Sequence, residues 1–543
     1  MAGLTVALVG LPQCLAYAMM SGLPPAYGLA TAVVPGLVAA LVGRSAQVVS
    51  GPTNTTGLLI LSALTPFLGA NGLIGADALG ALATLTLLAG AIRVAAALAG
   101  GASLLRFLPD SVLVGFTAGA GILIGTMQLD EALGLPAASA SGLRYEIAGV
   151  AQLLEKGHAP AWPAVAVTLS TIVLLAFARK VPRVPVALLT VAVGAAIAWA
   201  FGLDAGAGLP LVRDRSPVPS GWPPGALPEL SPDLLRRFLV PGAAIALLGS
   251  LELAVSARAG GARPDLRREI LAQGAANLAG SVTGCFPASA SLTRSALLRL
   301  GGARTRLAPA SAALFVFPIL FLAAPSVGVI PQASLAGVLL ITAYRMIDRS
   351  SLARMWRASP ATRVLLIVTL ASALLLPLEW AVLLGAGLGL LIHLARTSTP
   401  RIRPLRLEGG ELVPLADGDA PELVVLEVSG NLHYAAVEPF VSGVEGLLPR
   451  SARAVILDLG HAHEIRFTAL RAFEQLAGDL ARQGAALHLA GVSPEFHELL
   501  RRSGSKLTVT VEEAAPGLSL RRAIRSVVGS ADSRDSTGSK RDG

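Results

Sequence analysis

The sequence predicts a polytopic α-helical membrane protein, with about 14 spans in a 7+7 inverted repeat, followed by a small cytoplasmic α/β domain. Three observations predict it. Of 543 residues, 53% are hydrophobic and only 14% charged, and mean hydropathy is +0.67, the balance of membrane spans and not of a soluble chain this long. Apolar runs dominate to about residue 397 and then give way to mixed polar sequence. Two unusually short apolar segments, each opening on a proline, occupy matching places in the two halves of the apolar region.

The expected spans are 3–20, 28–43, 52–68, 78–100, 109–127, 161–178, 185–203, 237–256, 269–285, 288–300, 307–325, 331–347, 363–377 and 379–396. Aromatic residues are only 4% of the chain, so Ala, Gly, Leu and Val fill these runs, and small residues let membrane helices pack closely. The net charge of +9 would suggest nucleic acid for a soluble protein. Here the arginines follow topology instead. With a cytoplasmic N-terminus, Arg44, Arg106, Arg179, Lys180, Arg183, Arg258, Arg263, Arg267, Arg268, Arg304, Arg306, Arg345, Arg349, Arg354 and Arg357 all fall on one side. Asp77, Asp130, Glu131, Asp204, Asp214 and Glu379 fall on the other. That is the positive-inside pattern of a cell inner-membrane protein with both termini cytoplasmic, and it leaves no case for a nucleic-acid partner.

The third segment opens at Pro52 in SGPTNTTG and the tenth at Pro287 in FPASASLTRS, 235 residues apart (287 less 52). Seven spans per half place the second half upside down, so the two short helices start from opposite faces and aim their N-termini at a common midplane. A helix N-terminus leaves N–H groups unpaired and carries about half a positive charge, so the pair forms an anion site without a fixed cation. Proline suits a first position that has no N–H to donate. Thr53, Thr55, Thr56, Ser289, Ser291 and Thr293 add hydroxyls.

Glu252 stands inside the apolar stretch IALLGSLELAVSA. An acid at a span centre costs about 2.5–3.5 kcal/mol to insert, so such a residue is expected to face a polar cavity. A carboxyl held there can carry a proton, or Na⁺, that travels with the anion; the alternative is a structural ion pair with Arg294. With the same offset, Glu252 is the counterpart of Tyr17. Arg93 is also inside a span and reads as packing or snorkelling. Cys14 and Cys285 read as small apolar fillers. No nucleophile–base pair, phosphate loop or metal cluster appears, so no catalytic residue, cofactor or metal is expected.

These segments resemble the sulfate permease family of anion transporters. The resemblance rests on AGLTVALVGLPQCLAYAMMSGLPPAYGL, GRSAQVVSGPTNTTGLL, FLPDSVLVGFTAG, LLGSLELAVSARAGG and REILAQGAANLAGSVTGCFPASASLTRSALLRLGGARTRLA, in that order along the chain. It implies a core domain moving against a gate domain and an anion site between the third and tenth helices. By position it implies Gln13 and Tyr17 from the first helix, Thr53, Asn54 and Thr55 from the third, and Ala288, Ser289, Ala290, Ser291 and Arg294 from the tenth, with Glu252 as the coupling-ion residue. The expected activity is secondary active transport of a small inorganic anion, most often sulfate in this family, with H⁺ or Na⁺ as coupling ion. Bicarbonate, a dicarboxylate, and a channel or exchanger on the same fold are the alternatives. Relatives usually carry a cytoplasmic segment before the first span, so a start upstream of Met1 is an open alternative.

The transport domain is expected over 1–397, with repeats at about 1–203 and 234–396; a Pro- and Arg-containing linker over 398–420; and an α/β domain over 421–528. In that domain ELVVLEVSG, ARAVILDLG and ALHLAGV read as strands, and VEPFVSGVEGLL, TALRAFEQLAGDLARQG and PEFHELLRRSG as helices. This order resembles the STAS domain that follows the membrane region in sulfate permeases, and implies a regulatory or dimer-contact module of a homodimer. Phosphorylated STAS relatives carry Asp-Ser after the second core strand; Arg466 and Phe467 stand there, and Thr468 reads as a helix N-cap. His433, His461, His463, His488 and His497 lack metal-ligand spacing. The polar tail 529–543 reads as disordered.

Overall fold

The structure, a computed structural model, describes residues 2–69, 73–101, 109–136, 143–177, 186–215, 221–258, 265–322, 324–409, 411–416, 419–449, 451–511 and 517–527. Arg106, Arg179, Lys180, Arg183, Arg263 and the tail 529–543 lie outside them. The chain divides into two compact units, Met1–Leu390 and Leu391–Gly543.

The first unit is helical. Its elements are α1 Ala2–Met20, α2 Pro25–Val42, β1 Ser50–Gly51, α3 Asn54–Leu64, α4 Leu79–Leu98, α5 Asp110–Met127, α6 Leu129–Leu133, α7 Leu143–Glu155, α8 Trp162–Phe177, α9 Val186–Ala200 and α10 Val212–Arg215. Then come α11 Pro232–Arg258, α12 Leu266–Ser281, β2 Ser289–Ala290, α13 Leu292–Leu300, α14 Leu307–Leu322, α15 Ala324–Gly328, α16 Gln332–Met346, α17 Arg349–Ala358, α18 Pro360–Leu375 and α19 Leu378–Thr397. A helix lies in each segment expected to span. Among the described residues, six stretches are long and apolar enough to cross a membrane by length and composition.

Close approach of small residues builds this unit. A side chain at Gly28 of α2 would run into the Cys14 carbonyl of α1. Gly90 of α4 and Gly274 of α12 face each other so tightly that a Cβ on either would lie about 3.0 Å from the other's carbonyl oxygen. Apolar spans gain little from burial against equally apolar lipid, so backbone-to-backbone packing of this kind carries the association.

The second unit holds one six-stranded sheet, with β3 Arg401–Glu408, β4 Glu411–Pro414, β5 Leu423–Asn431, β6 Ala454–His463, β7 Ala486–Val492 and β8 Thr508–Val511 in the order β4-β3-β5-β6-β7-β8. Strands β5 to β8 run parallel; β3 and β4 run antiparallel. Helices α20 Val437–Leu447, α21 Phe467–Arg482 and α22 Pro494–Ser503 connect the parallel strands. Successive residues of β5 serve two cores: Val424, Leu426 and Val428 meet Phe440, Phe473 and Phe496, while Val425 packs with Ile456, Ala490 and Ala523. Burial on both faces is why these strands are continuous apolar runs.

Two expectations are corrected here. The segment 398–420 is not a linker: β3 and β4 extend the sheet from it, and Ile402 and Leu405 pack against the two cores. Its prolines and arginines hid an alternating strand. Thr468 is not the N-cap of α21, because Phe467 already begins the helix and Arg466 occupies the cap without a side-chain bond.

Candidate functional site

The site is built on the two shortest apolar segments. β1 and β2 pair antiparallel, Ser50 opposite Ala290 and Gly51 opposite Ser289. α3 leaves one end of this ladder three residues after Gly51, and α13 leaves the other two residues after Ala290. The ladder therefore holds two helix N-termini together, running in opposite directions. Gly51 has a φ of 149°, and a Cβ there would stand 2.9 Å from an Arg294 guanidinium nitrogen, so glycine is required on both counts.

Hydroxyl residues, not prolines, start these helices. Thr53 caps α3, its Oγ1 accepting from the Thr56 N–H at 3.3 Å, and Ser291 caps α13, its Oγ accepting from the Arg294 N–H at 3.4 Å. Pro52 precedes the first cap and Pro287 precedes β2, so neither takes the first helical position expected of it. The strands are 239 residues apart (289 less 50), not 235. On that offset Tyr17 maps to Ser256, about one turn beyond Glu252.

Glu252, 5% exposed in the C-terminal half of α11, lies against the first turn of α3. The Thr55 hydroxyl donates to its Oε1 and the Thr53 hydroxyl to its Oε2 at 3.4 Å. Tyr17 of α1 is buried within electrostatic reach of Glu252 and Arg294. Ser289 donates to the Gly249 carbonyl at 3.2 Å, one turn before Glu252. Tyr17, Thr53, Thr55, Ser289 and Glu252 thus share one polar region inside apolar helices.

The other expected residues sit around it. Ala288 donates its N–H to Asn277 Oδ1 at 2.8 Å, and Ala290 belongs to the ladder. The Asn54 amide turns to Met346 Sδ of α16 at 2.6 Å. The Gln13 Oε1 is buried without a hydrogen-bond partner among the described residues. Arg294 is 3% exposed and does not snorkel: it donates to the Pro52 carbonyl at 2.6 Å and reaches Cys14 Sγ at 3.5 Å, with its Nε unpartnered. No ion pair joins it to Glu252 among the described residues, so the alternative reading of that pair is set aside.

Arg93 packs inside the helices and does not snorkel. It is 1% exposed, and its guanidinium donates to the carbonyls of Ala288 at 2.7 Å, Ile245 at 3.2 Å and Ala246 at 3.5 Å. Two residues were missed outright. Gln273 of α12 bonds Ser50 of β1, and Asn277 holds Ala288, the residue before β2. Their i, i+4 spacing inside an apolar span was the available signal, since buried polar groups there require partners.

The first 369 residues match the family model described as "Sulfate permease family". The chain belongs to the sulfate permease family. Residues 417–514 match the STAS domain model. Among sulfate permease relatives, a Mycobacterium tuberculosis protein named "Probable sulfate transporter" is 32% identical over 92% of this chain and 90% of its own length. The chloroplastic sulfate transporter 4.1 of Arabidopsis thaliana is 26% identical over 93% of this chain and 76% of its own. The murine Solute Carrier 26 family member A9 anion transporter shares the fold, with a TM-score of 0.81, 19% identity and coverage of 93% of this chain and 86% of that one. The transmembrane domain of a cyanobacterial bicarbonate transporter aligns with a TM-score of 0.61 and 22% identity over 72% of this chain and 95% of that one.

Proposed function

We propose that this sulfate permease is a secondary active transporter that moves sulfate with a proton by alternating access. The observation that carries the proposal is the β1–β2 ladder, which joins the first turns of α3 and α13 beside the single carboxyl of Glu252. Helix N-terminal N–H groups and hydroxyls suit an oxyanion. The binding set is Gln13, Tyr17, Thr53, Asn54, Thr55, Ala288, Ser289, Ala290, Ser291 and Arg294, with the proton on Glu252. Its frame is 14 spans in a 7+7 inverted repeat over 1–397, in the cell inner membrane, with both termini cytoplasmic. The STAS domain serves regulation or contact within a homodimer.

A second reading, Na⁺-coupled bicarbonate transport, draws on the cyanobacterial neighbour named a bicarbonate transporter. Dicarboxylate transport, exchange and channel conduction use the same frame. Uptake of labelled sulfate and bicarbonate into proteoliposomes, under imposed H⁺ or Na⁺ gradients, separates them. Sulfate uptake driven by an inward proton gradient is the expected result. Uptake driven only by Na⁺ selects the second reading, and uptake of neither anion overturns the substrate assignment.

A further inference from the structure

Arg93 has no place in the binding set above, yet it bonds three backbone carbonyls of the frame. From α4 it reaches two separate pieces of backbone: the α11 turn at Ile245 and Ala246, and Ala288, the residue leading into β2. Gly249 makes room for it, because a Cβ there would strike the Arg93 guanidinium and stand 2.9 Å from Ser289 Oγ. Ser289 in turn bonds the Gly249 carbonyl. Arg93, Gly249, Ala288 and Ser289 thus interlock α4, α11 and β2. The partners of this arginine are carbonyls; among the described residues no carboxylate bonds it, so its positive charge is not cancelled by contact. Glu252 lies within electrostatic reach of it, and Thr53 and Thr55 from α3, Ser289 from β2 and Tyr17 from α1 interact with that carboxyl.

We infer that Arg93 is a positioning and specificity-determining residue of the anion site: it pins the β2 half to α11 and supplies a buried fixed charge that favours divalent over monovalent anions. The inference rests on the polar region around Glu252 being the anion site. A planar guanidinium is suited to bridging several fixed carbonyls, which an ammonium does less well. Coulomb attraction is linear in ligand charge, so the logarithm of the affinity lost with this charge is about twice as large for a dianion as for a monoanion. A merely structural arginine would weaken both equally.

The test uses full-length protein in proteoliposomes. It measures KM for labelled sulfate and inhibition constants for chloride, nitrate and hydrogencarbonate against it, in wild type, Arg93→Gln and Arg93→Lys. In Arg93→Gln the sulfate KM is expected to rise about tenfold and the monovalent constants about threefold. Arg93→Lys is expected to restore the divalent preference while its maximal rate falls. Should Arg93→Gln fail to fold, Gly249→Ala carries the test, since its methyl takes the guanidinium's place without removing the residue. Equal loss for both valences, or no change, overturns the inference and leaves the site reading intact. Wild-type protein that takes up no anion overturns the site reading, and this inference with it.

Discussion

Glu252 and Arg93 lie on the same side of α11, but their partners differ in kind. The carboxyl receives two threonine hydroxyls, and the guanidinium gives to three carbonyls. Replacing Glu252 by Gln keeps the shape and removes the titratable group. Sulfate exchange between equal concentrations should persist within about tenfold, while acceleration by an imposed pH gradient should vanish. Unchanged acceleration in proteoliposomes would sink the proton role. A second residue-scale prediction concerns His488, half-buried in β7 between Ile456 and Thr508. Burial lowers its pKa below the ordinary 6.5. The unfolded chain therefore binds the proton more readily than the folded one. The folded state keeps this stability above about pH 6.5 and loses it as pH falls through the lower folded value. Thermal unfolding of His488→Gln against wild type should diverge below that pH and coincide above it.

At the scale of elements, two short helices of 11 and 9 residues depend on their first turns. Helices of that length are marginal alone, so capping and the ladder behind them set their position. Thr53→Ala and Ser291→Ala should each lower stability by about 1 kcal/mol, read from the melting of purified protein, and raise the sulfate KM. A melting temperature and KM equal to wild type in both would show that the ladder alone positions the helices. The soluble sheet makes a different point. β3 joins β5 over Arg401–Arg406, and Pro404 in that stretch does not stop it. Its residues Ile402 and Leu405 reach the two cores while Arg401 and Arg403 stay exposed.

For the whole molecule, alternation of spans fixes which loops face which compartment. Ser350 follows Asp348 on the side expected to be cytoplasmic, and His158 follows α7 on the opposite side; both are exposed. The native cysteines are buried, so single cysteines at these two positions report topology cleanly. His158→Cys should react with an impermeant maleimide in intact cells, and Ser350→Cys only after permeabilisation. The reverse pattern, or labelling of both, would refute the assigned orientation.

The sequence by itself determined much of this protein. Apolar runs located the membrane helices, because lipid leaves a spanning chain almost no other choice of composition or structure. Period-two and period-3.6 patterns located the central strands and helices of the soluble domain. Glu252, Thr53, Thr55 and Ser289 were legible because polar groups in apolar segments need a reason. Tertiary structure decided the rest. The register partner of Ser50 is Ala290, 240 residues away (290 less 50), and no local pattern encodes a pairing at that distance. Arg93 read only as packing or snorkelling, because its acceptors are backbone carbonyls, which every sequence has and none advertises. Pro52 and Pro287 looked like helix starts until the ladder showed one before a cap and the other before a strand. The first picture held two facing helix ends around a carboxyl. Packing added the buried arginine that ties the segment leading into β2 to α11.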